Sequence, residues 1–504
     1  MKTAILSLAT LLSSAVMVAQ SNTSNVSQTG EENLANITQV GDSNSSITLQ
    51  EGVGNNAEAI QGSDAFSSTL GVVEQTQIGD GNQALAQHEE LLNEIYQEQI
   101  GNGNSATATQ NLAFTGGANL ANQLQEGDGN QAVISQEGAF NTAFQVQFGE
   151  ENSATSTQEG GFNVSDINQS GILNEATIAQ IGDGNSSQQS QVGDSNLGTG
   201  EQWGPDNVLL QDQDGGGNTA ISIQGSSSFE SRGGEVQQIQ IGDENFAFAN
   251  QEEDNNRALQ GQLGESNSAT ISQNLGSFGG DNFAIQQQLG NRNVADASQN
   301  GTANASDQLQ SGDENTASVT QSGDNNVAIQ NQDGFGNNAV AEQGSFFFDS
   351  RGGVINQTQS GEGNDAFARH EEDNNTIVQN QTGAGNSASA TQNILTFGGE
   401  NVTDQFQFGS GNVAESSQEA GLGEAGEGNL VIHFQFGDEN IAISDQNGAT
   451  NTSDIFQFGN GNLANDTQTG LGNNTFVTQL GDLNASTIIQ TGAGNSAVVT
   501  QNGL

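Results

Sequence analysis

Cysteine is absent from the 504 residues, and proline occurs once, at Pro205. The first absence excludes a disulfide framework and thiolate metal sites. The second leaves backbone N–H groups free for β ladders, which proline interrupts. Basic residues are scarce as well: six Lys and Arg stand against 60 Asp and Glu, for a formal net charge of −54. No basic patch can neutralise phosphates, so nucleic acid is excluded as a partner. Apolar residues make up 32% and aromatics 5%, too little for a conventional oily core. Such a composition by itself reads as disorder or as a prion-like Asn/Gln tract. Long hydrophobic runs are missing beyond the N-terminus. There, Lys2 followed by the apolar run Ala4 to Ala19 reads as a secretory signal cleaved after Ala19 or Gln20. The run is short for a membrane span, which needs about 20 apolar residues. Residues 1–20 are expected to be removed, taking one Lys and no acid, so the charge moves from −54 to −55. Residues 21–504 are expected to form one continuous array with no linker and no membrane span.

What is present is a register. Gln28, Gln39, Gln50 and Gln61 fall on every eleventh position, and the step recurs to Gln479, Gln490 and Gln501. The chain carries 41 such anchors, two of them His (His88 and His370), and 33 of the 40 intervals keep that step. A disordered tract has no reason to keep that spacing, and a fixed period is the mark of a repeat architecture. Each unit reads Q-x-G-x-x-N-x-small-x-x-x-Q, as from Gln490 to Gln501. In a strand, alternate residues share a face. Asn495, Ala497, Val499 and Gln501 therefore form one set, as do Asn104, Ala106, Ala108 and Gln110. This Asn, small, small-or-aliphatic, Gln set is assigned inward, since the other set is variable and rich in Ser, Thr, Asp and Glu. The remaining x-G-x-x forms a turn in which Gly or Asn supplies positive φ.

Alternate units differ. After all 21 odd-numbered anchors the second residue is Gly, and the fifth is Asn in all 20 cases where the chain reaches that far. All seven long intervals follow even-numbered anchors: Gln61, Gln110, Gln224, Gln273, Gln343, Gln392 and Gln418. The rung is therefore two strands, two anchor steps or about 22 residues, within the range of solenoid repeats. It has one tight edge and one edge that carries insertions. Segments starting at Gly62, Gly225 and Gly344 share a plan that ends in Gly116–Gly117, Gly279–Gly280 and Gly398–Gly399, a duplication of blocks of rungs.

The fold expected is all-β: a parallel β-solenoid of roughly 20 rungs with amyloid-like stacking, on the order of 95 Å long at ~4.8 Å per rung. Its inward ladder is assigned to Gln28, Gln39, Gln50, Gln99, Gln110, Gln180, Gln191, Gln310, Gln321, Gln479, Gln490 and Gln501, with Asn33, Asn104, Asn174, Asn267, Asn315, Asn484 and Asn495. Its turn glycines are Gly30, Gly52, Gly79, Gly101, Gly171, Gly312, Gly481 and Gly492. Stacked amides donate to one neighbour and accept from the other, which satisfies a core poor in apolar atoms.

The pattern Q-x-G-x-G-N-x-A-x-x-x-Q resembles the curlin repeat of curli subunits. It stands nearly verbatim at Gln77 to Ala84, Gln99 to Gln110, Gln381 to Gln392 and Gln490 to Gln501. The resemblance implies a secreted subunit of an extracellular amyloid fibre in biofilm matrix and adhesion. It also implies a nucleator subunit and an outer-membrane export system as partners. The chain departs from familiar curlins in having far more units, and in that Asn22, Ser24, Val26 and Gln28 already fit a strand where those proteins carry a targeting segment.

Other features bear on chemistry. His88-Glu89-Glu90 and His370-Glu371-Glu372 contain metal-ligating types. The anchor His is expected to face inward and Glu89 outward, so that His merely replaces Gln. The Gly-Asp turns (Gly41–Asp42, Gly182–Asp183, Gly312–Asp313) align carboxylates suited to weak divalent binding, though their period differs from that of calcium-binding β-rolls, which repeat every nine positions. Asp466 falls on the inward set, where a lone carboxylate is costly; a local bulge or a protonated, hydrogen-bonded Asp is expected. Apolar residues recur just past odd anchors (Ile78, Ile100, Phe148, Val192, Ile241, Leu263, Leu289, Phe408, Phe436, Phe458, Leu480), either covering the turn or forming a stripe for lateral bundling. No catalytic constellation stands out and no cofactor or metal is assigned, so the chain reads as a structural protein rather than an enzyme. With no cap visible at either end of the array, self-association into a homopolymeric fibre is expected, with the unbroken units Gln446 to Gln501 templating best. A monomeric surface adhesin or a fibre nucleator is the alternative. An ice-binding solenoid is a third class, and the flat outer Thr array it needs is missing.

Overall fold

A computed structural model of the chain describes residues 21–112, 116–275, 279–345, 349–394, 399–419 and 428–503. The expected signal segment 1–20, Gly398 and Leu504 lie outside the described residues, as do the middles of five of the seven insertions. The described chain folds into 45 β-strands and no helix. No helix is therefore long and apolar enough to cross a membrane.

Four of the 45 strands are two-residue pairings at one edge: Gly41–Asp42, Ser68–Thr69, Glu90–Leu91 and Ser350–Arg351. The other 41 each contain one anchor. Strands of the odd anchors, from Thr23–Glu31 to Ser496–Asn502, build one sheet of 21. Strands of the even anchors, from Leu34–Gln39 to Ala485–Ala493, build the second. Every pairing is parallel and in register. Gln147, Gln169 and Gln191 sit side by side in the first sheet, and Gln158, Gln180 and Gln202 in the second. The chain is thus a parallel β-solenoid of about 21 turns, each turn roughly 22 residues.

Two-residue periodicity decides what the narrow interior holds. In the strand Ser105–Gln110, Ala106, Ala108 and Gln110 are buried while Ser105, Thr107 and Thr109 are half-buried on the outer face. Buried alanines line most rungs, so the sheets approach closely, and isolated larger residues such as Ile95, Ile134, Leu209, Ile355 and Ile455 fill the remaining space. The insertions leave the stack at the variable edge and return to its register. After Gln61 the chain departs at Gly62 and rejoins at Ser68, which lies over Gly41. The duplicated Gly-Gly pairs rejoin likewise, Gly117 between Leu91 and Ala139, and Gly280 between Asp254 and Thr302.

Candidate functional site

The surface that matters in this molecule is its cross-section, repeated at every rung and, among the described residues, uncovered at the first and last strands. The anchors of the first sheet form one continuous ladder. From Gln28 to Gln501 each Nε2 donates to the Oε1 of the next rung, at 2.6–2.9 Å, in 20 successive bonds. The second amide hydrogen goes to a main-chain carbonyl of the facing sheet, as from Gln191 to Glu175 at 2.9 Å. The even anchors do the same, including Gln39 to Gln61, Gln180 to Gln202, and Gln321 to Gln343. Every bond runs in one direction, so the stack is polar. Free glutamine donors collect at the C-terminal face and free glutamine acceptors at the N-terminal face.

Asparagine ties turn to turn. The Oδ1 of Asn104 accepts from the N–H of Asn130 at 2.9 Å, and its Nδ2 donates to the carbonyl of Gly127 at 2.7 Å. Asn33, Asn174, Asn267 and Asn315 repeat the arrangement toward Gly52, Gly193, Gly290 and Gly334. At the uncovered C-terminal end, Asn484 and Asn495 bond back to Asn462 and Asn473. The turn glycines have φ between +92° and +127° at Gly30, Gly52, Gly79, Gly101, Gly171, Gly312, Gly481 and Gly492. A Cβ on Gly101 would lie 2.0 Å from the carbonyl oxygen of Gly127 in the next rung, so glycine stacks on glycine for lack of space. The residue two positions later is also left-handed. It is often not the Gly or Asn that turn chemistry suggests: Glu32, Leu173 and Leu483 have φ of +56° to +59°.

Two expectations from the sequence are corrected, and a third, on Asp466, is narrowed to its hydrogen-bonded alternative. In the first sheet the inward position two before the anchor is mostly Gln rather than small or aliphatic. It forms a second ladder from Gln75 to Gln145 and from Gln189 to Gln405, interrupted by the buried Ile167. The recurring Q-x-Q ahead of odd turns is the signal for it. Glu89 and Glu371 are buried at the variable edge rather than outward in solvent, and Glu371 accepts from Arg369 at 2.8 Å. Finally, no bulge accommodates Asp466, because Leu463–Leu471 stays in register with both neighbours.

His88 and His370 occupy anchor positions, and their surroundings are the same. The hydroxyl of Ser68 donates to Asn44 Oδ1, so its oxygen accepts from His88 Nδ1 at 3.2 Å, while His88 Nε2 accepts from Gln61 Nε2 at 3.2 Å. Ser350, Asn326 and Gln343 do this around His370. The network thus assigns neutral rings protonated on Nδ1. Neither ring can donate onward, and the ladder breaks there: Oε1 of Gln110 and of Gln392, one rung further, has no partner. Burial pushes His88 down to about 4 and His370 to about 3. A third histidine, His433, falls outside the anchor register; it replaces Gln in the second ladder two before Gln435. Its Nε2 lies 2.7 Å from Ser444 Oγ, which contacts Ser453 Oγ at 2.8 Å beside Asp466. Thr475 donates to Asp466 Oδ1 at 3.0 Å, and burial pushes that carboxyl up to about 6.

Carboxylates of the Gly-Asp turns bond to the neighbouring rung. Asp42, Asp183 and Asp313 accept from the N–H of Ser21, Gly161 and Asn291 at 2.7–3.0 Å. Among the described residues no three His, Cys, Asp or Glu side chains gather into a metal-holding group. The apolar stripe lies on the outer face of the first sheet. Over the C-terminal rungs it becomes two aromatic columns, Phe406–Phe434–Phe456–Phe476 and Phe408–Phe436–Phe458, with ring centroids 5.5–6.4 Å apart.

Compared with known proteins, the chain matches the curlin associated repeat over residues 149–182, 290–323, 312–344 and 472–503. No curated protein matches it significantly. The matched segments lie in separate parts of one stack in which glutamine anchors, turn glycines and asparagines recur; the chain carries curlin associated repeats.

Proposed function

We propose that this chain is the structural subunit of an extracellular, curli-like amyloid fibre that grows head to tail by templating at strand edges. The supporting observation is the one-way glutamine ladder, which among the described residues is open at both ends. Gln28 has no donor to its Oε1, and Gln501 spends its amide only on Ala485. A copy placed on either end meets the polarity it needs, and head-to-tail contacts of this kind do not close. Secretion, a place in biofilm matrix, and help from a nucleator and an outer-membrane exporter belong to the same proposal, and the curlin repeats are what support them. Both the family and the fold are structural rather than enzymatic.

The test begins with chain lacking residues 1–20, purified in denaturant and diluted into buffer. Thioflavin fluorescence and negative-stain microscopy follow it with and without sonicated seeds. Unbranched fibres with a ~4.8 Å reflection, and a lag phase abolished by seeds, are expected. A monodisperse rod that never elongates would replace this reading with the adhesin.

A further inference from the structure

The first and last strands of the described solenoid, Thr23–Glu31 and Ser496–Asn502, belong to the same sheet. Among the described residues the stack therefore ends on a half rung, with no strand beside Ser496–Asn502 in the second sheet. A second copy facing the same way would lay its Thr23–Glu31 on Ser496–Asn502. One strand place would then stay vacant between Ala485–Ala493 and the incoming Leu34–Gln39. Two strand edges would face that gap with their backbone groups unpaired, at a cost comparable to the hydrogen bonds lost. A half-turn of the incoming copy about the long axis closes the gap. The two sheets repeat one plan, offset by a single anchor step. The incoming Thr23–Glu31 can therefore complete the half rung by lying on Ala485–Ala493, and the incoming Leu34–Gln39 then lies on Ser496–Asn502.

We propose that successive copies in the fibre are related by a half-turn about its axis, so that each fibre face alternates between first-sheet and second-sheet blocks. This rests on the head-to-tail reading above. The side chains brought together fit it. Ser24 meets Ser486 and Ala35 meets Ala497, like on like, where the same-facing arrangement would set Ser24 on Ala497. Val26, 45% exposed at the bare end, covers Ile488. Gln490 Nε2 donates only to Asn474 and Gln501 Nε2 only to Ala485, so each retains one N–H for the incoming Gln28 and Gln39, whose Oε1 atoms accept nothing among the described residues. The insertions nearest the two ends follow Gln61 and Gln418, so short turns meet at both edges of the junction.

Because the chain has no cysteine, paired substitutions can read the orientation. Ser27, Ile489 and Thr500 each precede an anchor, face outward and are exposed. The half-turn stacks Ser27 of one copy on Ile489 of the next, whereas same-facing copies stack it on Thr500. Directly stacked positions lie within disulfide reach. Fibres of Ser27→Cys/Ile489→Cys, oxidised and then dissolved in denaturant without reductant, should run as a ladder of covalent multimers. Fibres of Ser27→Cys/Thr500→Cys should run as monomer. The reverse result would overturn the half-turn and leave head-to-tail growth standing. Fibres in which neither pair cross-links would overturn both. A gold label on Ala65→Cys, in the exposed insertion after Gln61, should appear alternately on the two fibre edges; labels along one edge alone would contradict the proposal.

Discussion

Single residues in this core act through the proton they carry and the direction in which they donate. His88 accepts where a Gln would also have donated, and the loss appears one rung on as the orphaned Oε1 of Gln110. His88→Gln should restore that bond and raise the unfolding free energy by about 1 kcal/mol, measured as a shift in denaturant midpoint at constant m-value. The same ring gives an acid sensitivity of definite sign. Its folded pKa of about 4 lies below the ordinary value of 6.5, so folding selects the neutral form. That stability is complete above pH 6.5 and is lost as pH falls toward 4, by about 3 kcal/mol. His370 and His433 carry the same sign. Asp466 has the opposite one. Its carboxyl is raised from 3.8 to about 6, so its neutral form is selected, and stability present below pH 3.8 is lost as pH rises through 6, again by about 3 kcal/mol. Asp466→Asn should remove that component, read as a gain in hydrogen-exchange protection of strand Leu463–Leu471 over the unsubstituted chain that grows between pH 4 and pH 7; a gain that does not change with pH would place its origin elsewhere.

At the level of the strand and its turn, space rather than propensity selects glycine. Gly101→Ala would drive a methyl group to 2.0 Å from a main-chain oxygen at φ +120°, and should cost at least about 2 kcal/mol. Gly103, two residues on, has φ +65° with nothing within 4 Å of a Cβ. Gly103→Ala should therefore cost only the left-handed preference, about 1 kcal/mol. Urea melts of the two variants test the contrast. Gly492 differs from both because it lies at the uncovered end, where its Cβ would meet nothing nearer than the Asn495 amide at 3.7 Å. Gly492→Ala should leave the monomer folded with a modest loss from its φ of +111° and slow seeded elongation several-fold. Unchanged elongation would mean that the next copy does not lie on that turn.

For the molecule as a whole, charge opposes the association that the ladders favour. A net charge of −54 is self-repelling, and much of it lies at the turns, where carboxylates line up along the edges. Assembly of the folded chain should accelerate as salt rises from low to physiological concentration, as Ca²⁺ is added, or as pH approaches 4. Thioflavin lag times give the comparison, and a lag insensitive to all three would remove charge as the brake. Acid also protonates the buried histidines. Refolding from denaturant should therefore fall off below pH 6.5 even while seeded growth of folded chain speeds up.

The sequence alone determined the architecture because stacking demands identical residues at identical offsets. Gln28, Asn33 and Gly30 recur for that reason, and their period can be read without coordinates. Alternation also assigned the inward face, and the placement of insertions after even anchors identified the variable edge. The tertiary structure decided what periodicity cannot express. Gln75 and Gln97 read as one more polar pair until the facing sheet buries them. His433 and Asp466 are three anchor steps apart in the chain and join one buried network only because consecutive rungs bring Ser444 and Ser453 between them. Glu89, just past the strand Gln83–His88, falls on the outward phase of the alternation, yet it is covered at the variable edge. Left-handed backbone at Leu173 and Leu483 runs against local preference and is held by the rungs around it. Which side chains are buried, and which protons they keep, depends on the neighbours that stacking supplies, and no single rung contains that information.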